Sequence, residues 1–222
     1  MKVILARHGE TDWNAAARIQ GKSDIPLNGR GRAQARELAA AVQRLGTVEI
    51  IYASPLSRAL ETAQIIGRAL GLEPAPAAAL TELNFGDWEG CSWEEIGRRW
   101  PEQFAAYSAD RKNYAPPNGE SYADMLRRAR PFVDALRARP SAGAALCVCH
   151  SAVMRGLLAE EAGLDDGARV ISQGWAGGPT ADEWIRSVLA AWSVGGAAVI
   201  VRDGDDERLE RIADIEKARP LG

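Results

Sequence analysis

The chain of 222 residues predicts an α/β fold, a three-layer α/β/α sandwich whose mixed, mostly parallel sheet carries helices on both faces. Three observations carry that expectation. The run at 2–6 has the composition of a strand buried on both faces of a parallel sheet, and 49–53 and 144–149 read as two further strands. Stretches with helical periodicity alternate with them, which is the order of an α/β sheet. Neither a repeat nor a linker interrupts the chain, so a single domain is expected over 1–222, with an atypical segment at 165–196.

Residues 2–6 form the first strand. A helix follows over 29–45, with Ala35, Leu38, Val42 and Leu45 on one face, and Gly46 as its stop. After the strand at 49–53, Ser54-Pro55 opens a helix bearing Leu56, Leu60, Ala63, Ile66 and Leu70, ending near Gly71. A Pro/Ala-rich connector occupies 74–79. Residues 80–117 read as loop-rich, because Gly86, Gly90, Gly97, Pro101 and Pro116-Pro117 interrupt them. Ser121 and Asp124 make a capping box for a helix that Pro131 should kink or split. The strand at 144–149 leads into a helix over 151–162. Thr180 with Glu183, and Trp184, Val188 and Trp192 at helical spacing, predict a helix at about 181–192. Residues 197–201 and 208–212 read as a hairpin.

Composition narrows the function. Apolar and charged fractions of 46% and 26% are those of an ordinary globule, and a net charge of −3 argues against nucleic acid as a partner. No stretch approaches the roughly 18 to 20 apolar residues of a membrane span. The opening apolar run is too short for a secretory signal. Cysteine occurs three times, and Cys147 and Cys149 would share one face of a strand as buried thiols, so a reduced, cytoplasmic setting is expected.

The chain has only two histidines, and each closes a strand-like run: His8 after 2–7 and His150 after 144–149. Ligands of open α/β sheets bind beyond the carboxyl ends of the strands. Arg7 stands beside His8, and the 49–53 strand leads to Arg58. Two guanidiniums can grip an oxyanion bidentately, and helix N-termini add N–H donors, so the three junctions suit a phosphoryl dianion. Gly9, without a Cβ, would let backbone approach that anion. A zinc site would need a third ligand and would place a cation beside Arg7 and Arg58, so no metal and no cofactor are expected.

These residues resemble the histidine phosphatase superfamily, in its branch of cofactor-dependent phosphoglycerate mutases and related phosphatases. The resemblance rests on six ordered blocks within about 2–160: Leu5-Ala6-Arg7-His8-Gly9-Glu10-Thr11-Asp12-Trp13-Asn14; Arg18-Ile19-Gln20-Gly21 with Asp24-Ile25-Pro26-Leu27; Ser54-Pro55-Leu56-Ser57-Arg58-Ala59 with Glu61-Thr62-Ala63; Glu82 with Gly86-Asp87-Trp88-Glu89-Gly90; Gly119-Glu120-Ser121; and His150 with Arg155. It implies that His8 is a nucleophile that becomes a phosphohistidine, presenting a neutral nitrogen while a backbone carbonyl holds its other N–H. It implies that Arg7, Arg58 and His150 hold the phosphoryl oxygens, that Asn14, Gln20 and Gly21 complete the pocket, and that Glu82 protonates the leaving oxygen and then activates water.

Several positions keep two readings. Arg18 is either a substrate contact or a structural arginine, and Ser57 either touches phosphate or caps a helix. Glu10 and Glu89 read as structural support, Trp88 and Trp93 as packing. Ser151 stands where the family usually has glycine, where its N–H can still face phosphate and its side chain crowds or supplements the pocket. The resemblance is lost over 165–196, which reads as a connector or, alternatively, as a cover of the pocket mouth or a homodimer contact anchored on Trp175.

A mutase would need added basic residues after the glutamate to hold a substrate carboxylate. Here 84–90 is acidic and aromatic, with Arg98 and Arg99 following later as a candidate solvated face. The expected activity is therefore a phosphomonoesterase for a small phosphorylated substrate. Phosphoglycerate mutase-type transfer is the alternative. A silent regulatory member would be expected to lack His8, Arg58, Glu82 or His150, and all four are present.

Overall fold

Parallel pairing of β1 (Lys2–Arg7) with β4 (Ala144–Cys149) sets Lys2 opposite Ala144 and Arg7 opposite Cys149, so the two strands end level. On the other side of β4, β2 (Val48–Ala53) runs parallel as well, with Ala53 opposite Val148. The computed structural model describes residues 1–161 and the strand residues 191–193, 196–203 and 206–211. Within them the sheet order is β3-β2-β4-β1-β5-β6-β7. β3 (Ala75–Pro76) completes the four parallel strands; β5 (Ala191–Ser193), β6 (Gly196–Asp203) and β7 (Asp206–Arg211) continue the sheet antiparallel beyond β1.

Side chains alternate across each strand, and this alternation builds two cores. Ile4, Ala6, Ile51, Ala53, Leu146 and Val148 pack with Leu38 and Val42 of α2 (Gly29–Leu45) and Ala59, Ala63 and Ile66 of α3 (Ser57–Leu70). Val3, Leu5, Ala145, Cys147 and Cys149 face the other way, against Met125, Ala129 and Val133 of α6 (Tyr122–Arg137) and Val153 and Leu157 of α7 (Ser151–Glu161). The result is the expected three-layer sandwich. Cys147 and Cys149 share one core, as their spacing predicts, and both are free and buried.

Local signals set most element ends. Asn28 Oδ1 accepts the Gly31 N–H at 2.8 Å to start α2, and Gly46 ends it at φ 62°. Ser121 caps α6 with its reciprocal partner Asp124. β6 and β7 form the expected hairpin.

Four expectations need correction. The connector at 74–79 holds β3 and the start of a single 3₁₀ turn, Ala78–Leu80. Residues 80–117 are not simply loop: besides a short turn at Gly86–Trp88 they contain α4 (Trp93–Arg99) and α5 (Pro101–Ala109), following a short α1 (Asp12–Ala15) near the start of the chain. There Ser92 and Glu95 form a capping box, and Pro101 occupies the first turn of α5, where its missing N–H costs nothing. Pro131 neither splits nor ends α6; it and Arg127 lie exposed, so the carbonyl that loses its partner faces water. Of the helix expected at about 181–192, Ala191 and Trp192 belong instead to β5, because the open edge of β1 offers a ladder that outweighs helical periodicity. The rest of that stretch, Trp175 included, lies outside the described residues.

Candidate active site at the strand ends

Ladder bonds carry on past the strands into the site. The His8 N–H donates to the Cys149 carbonyl at 3.1 Å and the Ser54 N–H to the Val148 carbonyl at 2.9 Å, so the ends of β1, β4 and β2 arrive in one place. His8 and His150 face each other there with ring centroids 5.0 Å apart. His150 is fully buried and, among the described residues, neither of its ring nitrogens has a protein partner.

His8 Nδ1 lies 2.7 Å from the Gly9 carbonyl oxygen. A carbonyl only accepts, so Nδ1 carries the proton and Nε2 keeps a lone pair. Burial pushes the His8 imidazole well below its usual 6.5, and the charges of Arg7 and Arg58 push it further down, against a smaller opposing effect of the Gly9 bond. Burial likewise lowers His150, with His8, Arg58, Arg7 and Arg128 adding to it. Both rings are therefore neutral near pH 7.

Arg58 is fully buried at the start of α3. Its Nη1 donates to the Ser23 carbonyl at 2.8 Å and its Nη2 to the Gly21 carbonyl at 2.7 Å, which orients the guanidinium and leaves Nε without a protein partner among the described residues. Arg7 Nε is likewise buried and has no partner among the described residues. Burial lowers both pKa values, although a guanidinium stays charged. Two cationic N–H donors and two imidazoles thus lie within electrostatic reach of one another at the strand ends.

The carbonyls that hold Arg58 belong to a loop anchored by Glu89. Its Oε1 accepts the Lys22 and Phe85 N–H groups at 2.8 and 3.1 Å, and its Oε2 accepts the Ser23 N–H and hydroxyl at 2.8 and 2.6 Å. Gly21 sits at φ 52°, and a Cβ there would overlap the Glu89 carboxylate. Glu89 is thus structural support, as expected. Glu10 is too, accepting from Asn28 Nδ2 at 3.0 Å and facing Arg30 at 3.8 Å. Gln20 is buried, its Oε1 accepting from Thr11 Oγ1 at 2.9 Å. Asn14 is the reciprocal partner in the capping box of α1, its Oδ1 accepting the Thr11 N–H at 3.2 Å.

Glu82 approaches from the second face. Oε1 accepts its neighbour's N–H, that of Leu83, at 2.9 Å; Oε2 accepts the Ala152 N–H, at the start of α7, at 3.3 Å. Burial raises its pKa above the usual 4.5, while those two N–H groups and then Arg58 and Arg7 pull it back down. A buried carboxyl within the electrostatic reach of two guanidiniums can gain and lose a proton as charge on the site changes. Ser151, the first residue of α7, sits between His150 and Ala152 and is only partly buried.

Three expectations change. Gly9 is required by α2, a reason the sequence reading did not supply: a Cβ on it would overlap the Gly31 carbonyl, and one on Gly31 would overlap the Glu10 carbonyl. The Gly9 N–H donates to Thr62 Oγ1 at 3.1 Å. Arg18 is structural, since it donates to the Gly90 carbonyl and lies 3.6 Å from Glu95. Ser57 is no cap; Leu56 holds that position without a side-chain bond, the Ser57 N–H donates to Asp24 Oδ1 at 2.7 Å, and the Ser57 hydroxyl is buried without a partner among the described residues. Trp88 is buried among Trp93, Phe104 and Tyr107, as packing requires, although Trp93 is 43% exposed. Sequence reading overlooked Asp24, Thr62 and Arg128. The first two lie inside the motif blocks, whereas nothing about Arg128 separates it from Arg127 and Arg130.

Comparison with known proteins agrees with this geometry. Residues 3–170 match the model of the histidine phosphatase superfamily (branch 1). The 6-phosphofructo-2-kinase/fructose-2,6-bisphosphatase of Gallus gallus is 38% identical over 158 residues, 71% of this chain and 32% of that protein, so the chain spans about a third of that relative's length. Phosphoserine phosphatase 1 of Hydrogenobacter thermophilus is 33% identical over 165 residues, covering 74% of this chain and 78% of the relative. The structure of mycobacterial glucosyl-3-phosphoglycerate phosphatase in complex with VO3 superimposes with a TM-score of 0.68 at 28% identity, covering 95% of this chain and 97% of the other.

Proposed function

The chain belongs to the histidine phosphatase superfamily, branch 1, and from that premise we propose that it is a phosphomonoesterase that hydrolyses a small phosphorylated metabolite through a phosphohistidine on His8. The observation that carries the reading is His8 itself: neutral, its Nδ1 proton committed to the Gly9 carbonyl, and its Nε2 free to attack. Relatives named as phosphatases support a hydrolase.

In the first step His8 Nε2 forms a bond to phosphorus as the ester P–O bond breaks, and Glu82 gives its proton to the leaving oxygen. Arg7, Arg58 and His150 hold the three phosphoryl oxygens and stabilise the charge spread over them; Asn14, Gln20, Gly21 and Ser151 complete the pocket. In the second step Glu82, now ionised, takes a proton from water while that water attacks phosphorus and the P–N bond breaks. The buried, raised pKa of Glu82 suits a group that must be protonated in one half-reaction and ionised in the other. No step calls for a metal, since Arg7 and Arg58 supply the positive charge.

Hydrolysis is favoured over mutase transfer because Arg98 and Arg99 lie exposed on α4, Arg99 against the Trp100 ring and Cys91 Sγ, and not at the strand ends. The proposal includes a reducing cytoplasmic setting, where the free Cys91, Cys147 and Cys149 stay unpaired. Among the described residues no helix is long and apolar enough to cross a membrane.

Rapidly quenched turnover should leave acid-labile, base-stable phosphate on the peptide containing His8. His8→Ala should lose both that label and phosphate release, exhaustive chelation should leave the wild-type rate unchanged, and vanadate should inhibit. Turnover by His8→Ala at the wild-type rate would overturn the proposal, and a screen of phosphorylated metabolites would narrow the substrate.

A further inference from the structure

We propose that Arg128 is a positioning residue for the proton donor, setting where Glu82 stands relative to the leaving oxygen; this rests on the reading of Glu82 given above. Arg128 projects from α6, and a quarter of its side chain is exposed. Its Nη1 donates to the Ala79 carbonyl at 2.9 Å and to the Thr81 carbonyl at 2.6 Å. Its Nη2 donates to the Glu82 carbonyl at 3.1 Å and to Glu120 Oε1 at 2.8 Å. One planar fork thus ties down three carbonyls within four consecutive residues, the last being that of Glu82.

This segment needs an anchor because it belongs to no strand. Its own backbone bonds are the two of a 3₁₀ turn, Leu80 N–H to the Ala77 carbonyl at 3.0 Å and Thr81 N–H to the Ala78 carbonyl at 3.1 Å. Glu82 carries no ladder bond of the kind that places His8 and Ser54. Past it, Glu120 takes over: Oε1 accepts the Asn84 N–H at 2.9 Å, and the Glu120 N–H donates to the Asn84 carbonyl at 2.9 Å. Arg128 and Glu120 therefore clasp Glu82 from both sides and meet at a single carboxylate oxygen. Lys22, next to the Gly21 that holds Arg58, lies 3.8 Å from the same oxygen. The clasp thus spans from the donor to the loop that orients the phosphate-gripping arginine.

A general acid acts only within hydrogen-bond reach of the atom it protonates. Displacement by about 1 Å can cost on the order of 10²-fold in rate. Arg128 also contributes to holding His150 neutral, so it bears on both sides of the reacting group. Lysine could not replace it fully, because a single ammonium cannot span three carbonyls and a carboxylate in one plane.

Leaving-group dependence separates positioning from bulk structural support. On an alkyl phosphate, Arg128→Ala should lower kcat about 10- to 100-fold with KM within about twofold. Phosphorylation of His8 by an aryl phosphate, whose leaving group needs little protonation, should fall less than about threefold. Arg128→Lys should recover part of the alkyl-phosphate rate and show the same leaving-group bias, which keeps the test decisive if the alanine variant folds poorly. In a Glu82→Gln background, Arg128→Lys should cost nothing further on the alkyl phosphate, because the two residues act as one unit. Equal losses on both substrates, or losses that multiply in the double variant, would overturn the proposal. Glu82→Gln alone provides the separate control: if it loses equally on both substrates, the donor role of Glu82 itself fails.

Discussion

His8 and His150 are placed by a β-ladder, whereas Glu82 is placed by side chains reaching to backbone. On the strand-end side, the β1–β4 register and the His8 N–H to Cys149 carbonyl bond set the backbone that carries both imidazoles, with bonds that any residue but proline could make. On the other side, Glu89, Glu120 and Arg128 hold stretches without regular pairing through bonds that only those side chains can form. The difference has consequences for mutation. The ladder side tolerates changes in side-chain identity and fails when backbone cannot approach backbone; the loop side fails when a single charged group is altered.

The largest effect is expected where two backbones touch. Gly31→Ala would set a Cβ into the Glu10 backbone, which no rotamer change can relieve. α2 would have to retreat from the segment that follows His8, at about 3 kcal/mol, or a melting temperature lower by roughly 6–12 °C. Thermal unfolding checks this, and a loss under about 2 °C would mean that the contact is readily relaxed.

A smaller effect, confined to the loop side, is expected from Glu89→Gln. The amide NH₂ would face either the Ser23 donors or the Lys22 and Phe85 donors, leaving N–H groups opposed to N–H groups. The cost is about 1–2 kcal/mol. Because that loop also carries the carbonyls that orient Arg58, KM should rise several-fold more than kcat falls. An unchanged KM would show that Arg58 keeps its orientation without Glu89.

The same division explains what the sequence made legible. Strands at 2–6 and 144–149 announced themselves because burial on both faces demands continuous apolar runs, and the two histidines stood at their ends; the half-exposed strand at 49–53 was legible from its short β-rich run before Ser54-Pro55. Glu82 could be picked out only through motif resemblance, since one glutamate in a non-repetitive segment has no periodicity to mark it. Arg128 gave no signal at all: its role depends on a turn at Ala78–Leu80 brought alongside α6 by tertiary packing. α4 and α5 were misread for a related reason, because Pro101 and Gly97 mark loops by propensity but act here as a first-turn residue and a close-packing position against Phe104. Gly9 carries the same lesson within the motif itself, since its close approach to Gly31 could not be read from the motif.

The pH dependence of stability is where the two sides should differ in sign. His8 and His150 both have folded-state pKa values below the usual 6.5, chiefly through burial. The unfolded chain therefore takes up their protons first as the pH falls. Their contribution is fully present above about 6.5 and is lost progressively below it, by at most about 1.4 kcal/mol per pH unit for each ring. Glu82 has a folded-state pKa raised above 4.5, so its contribution is present below 4.5 and is lost as the pH rises through the folded value. Acidification from pH 7 to 4.5 should thus weaken the fold through the imidazoles, and Glu82 should oppose the loss once the pH falls through its raised folded value. Melting temperatures across that range should fall less steeply for His150→Gln than for the wild type, and more steeply for Glu82→Gln. Parallel slopes in all three proteins would mean that neither buried group changes its proton affinity on folding, and would remove the electrostatic half of the contrast between the two sides of the site.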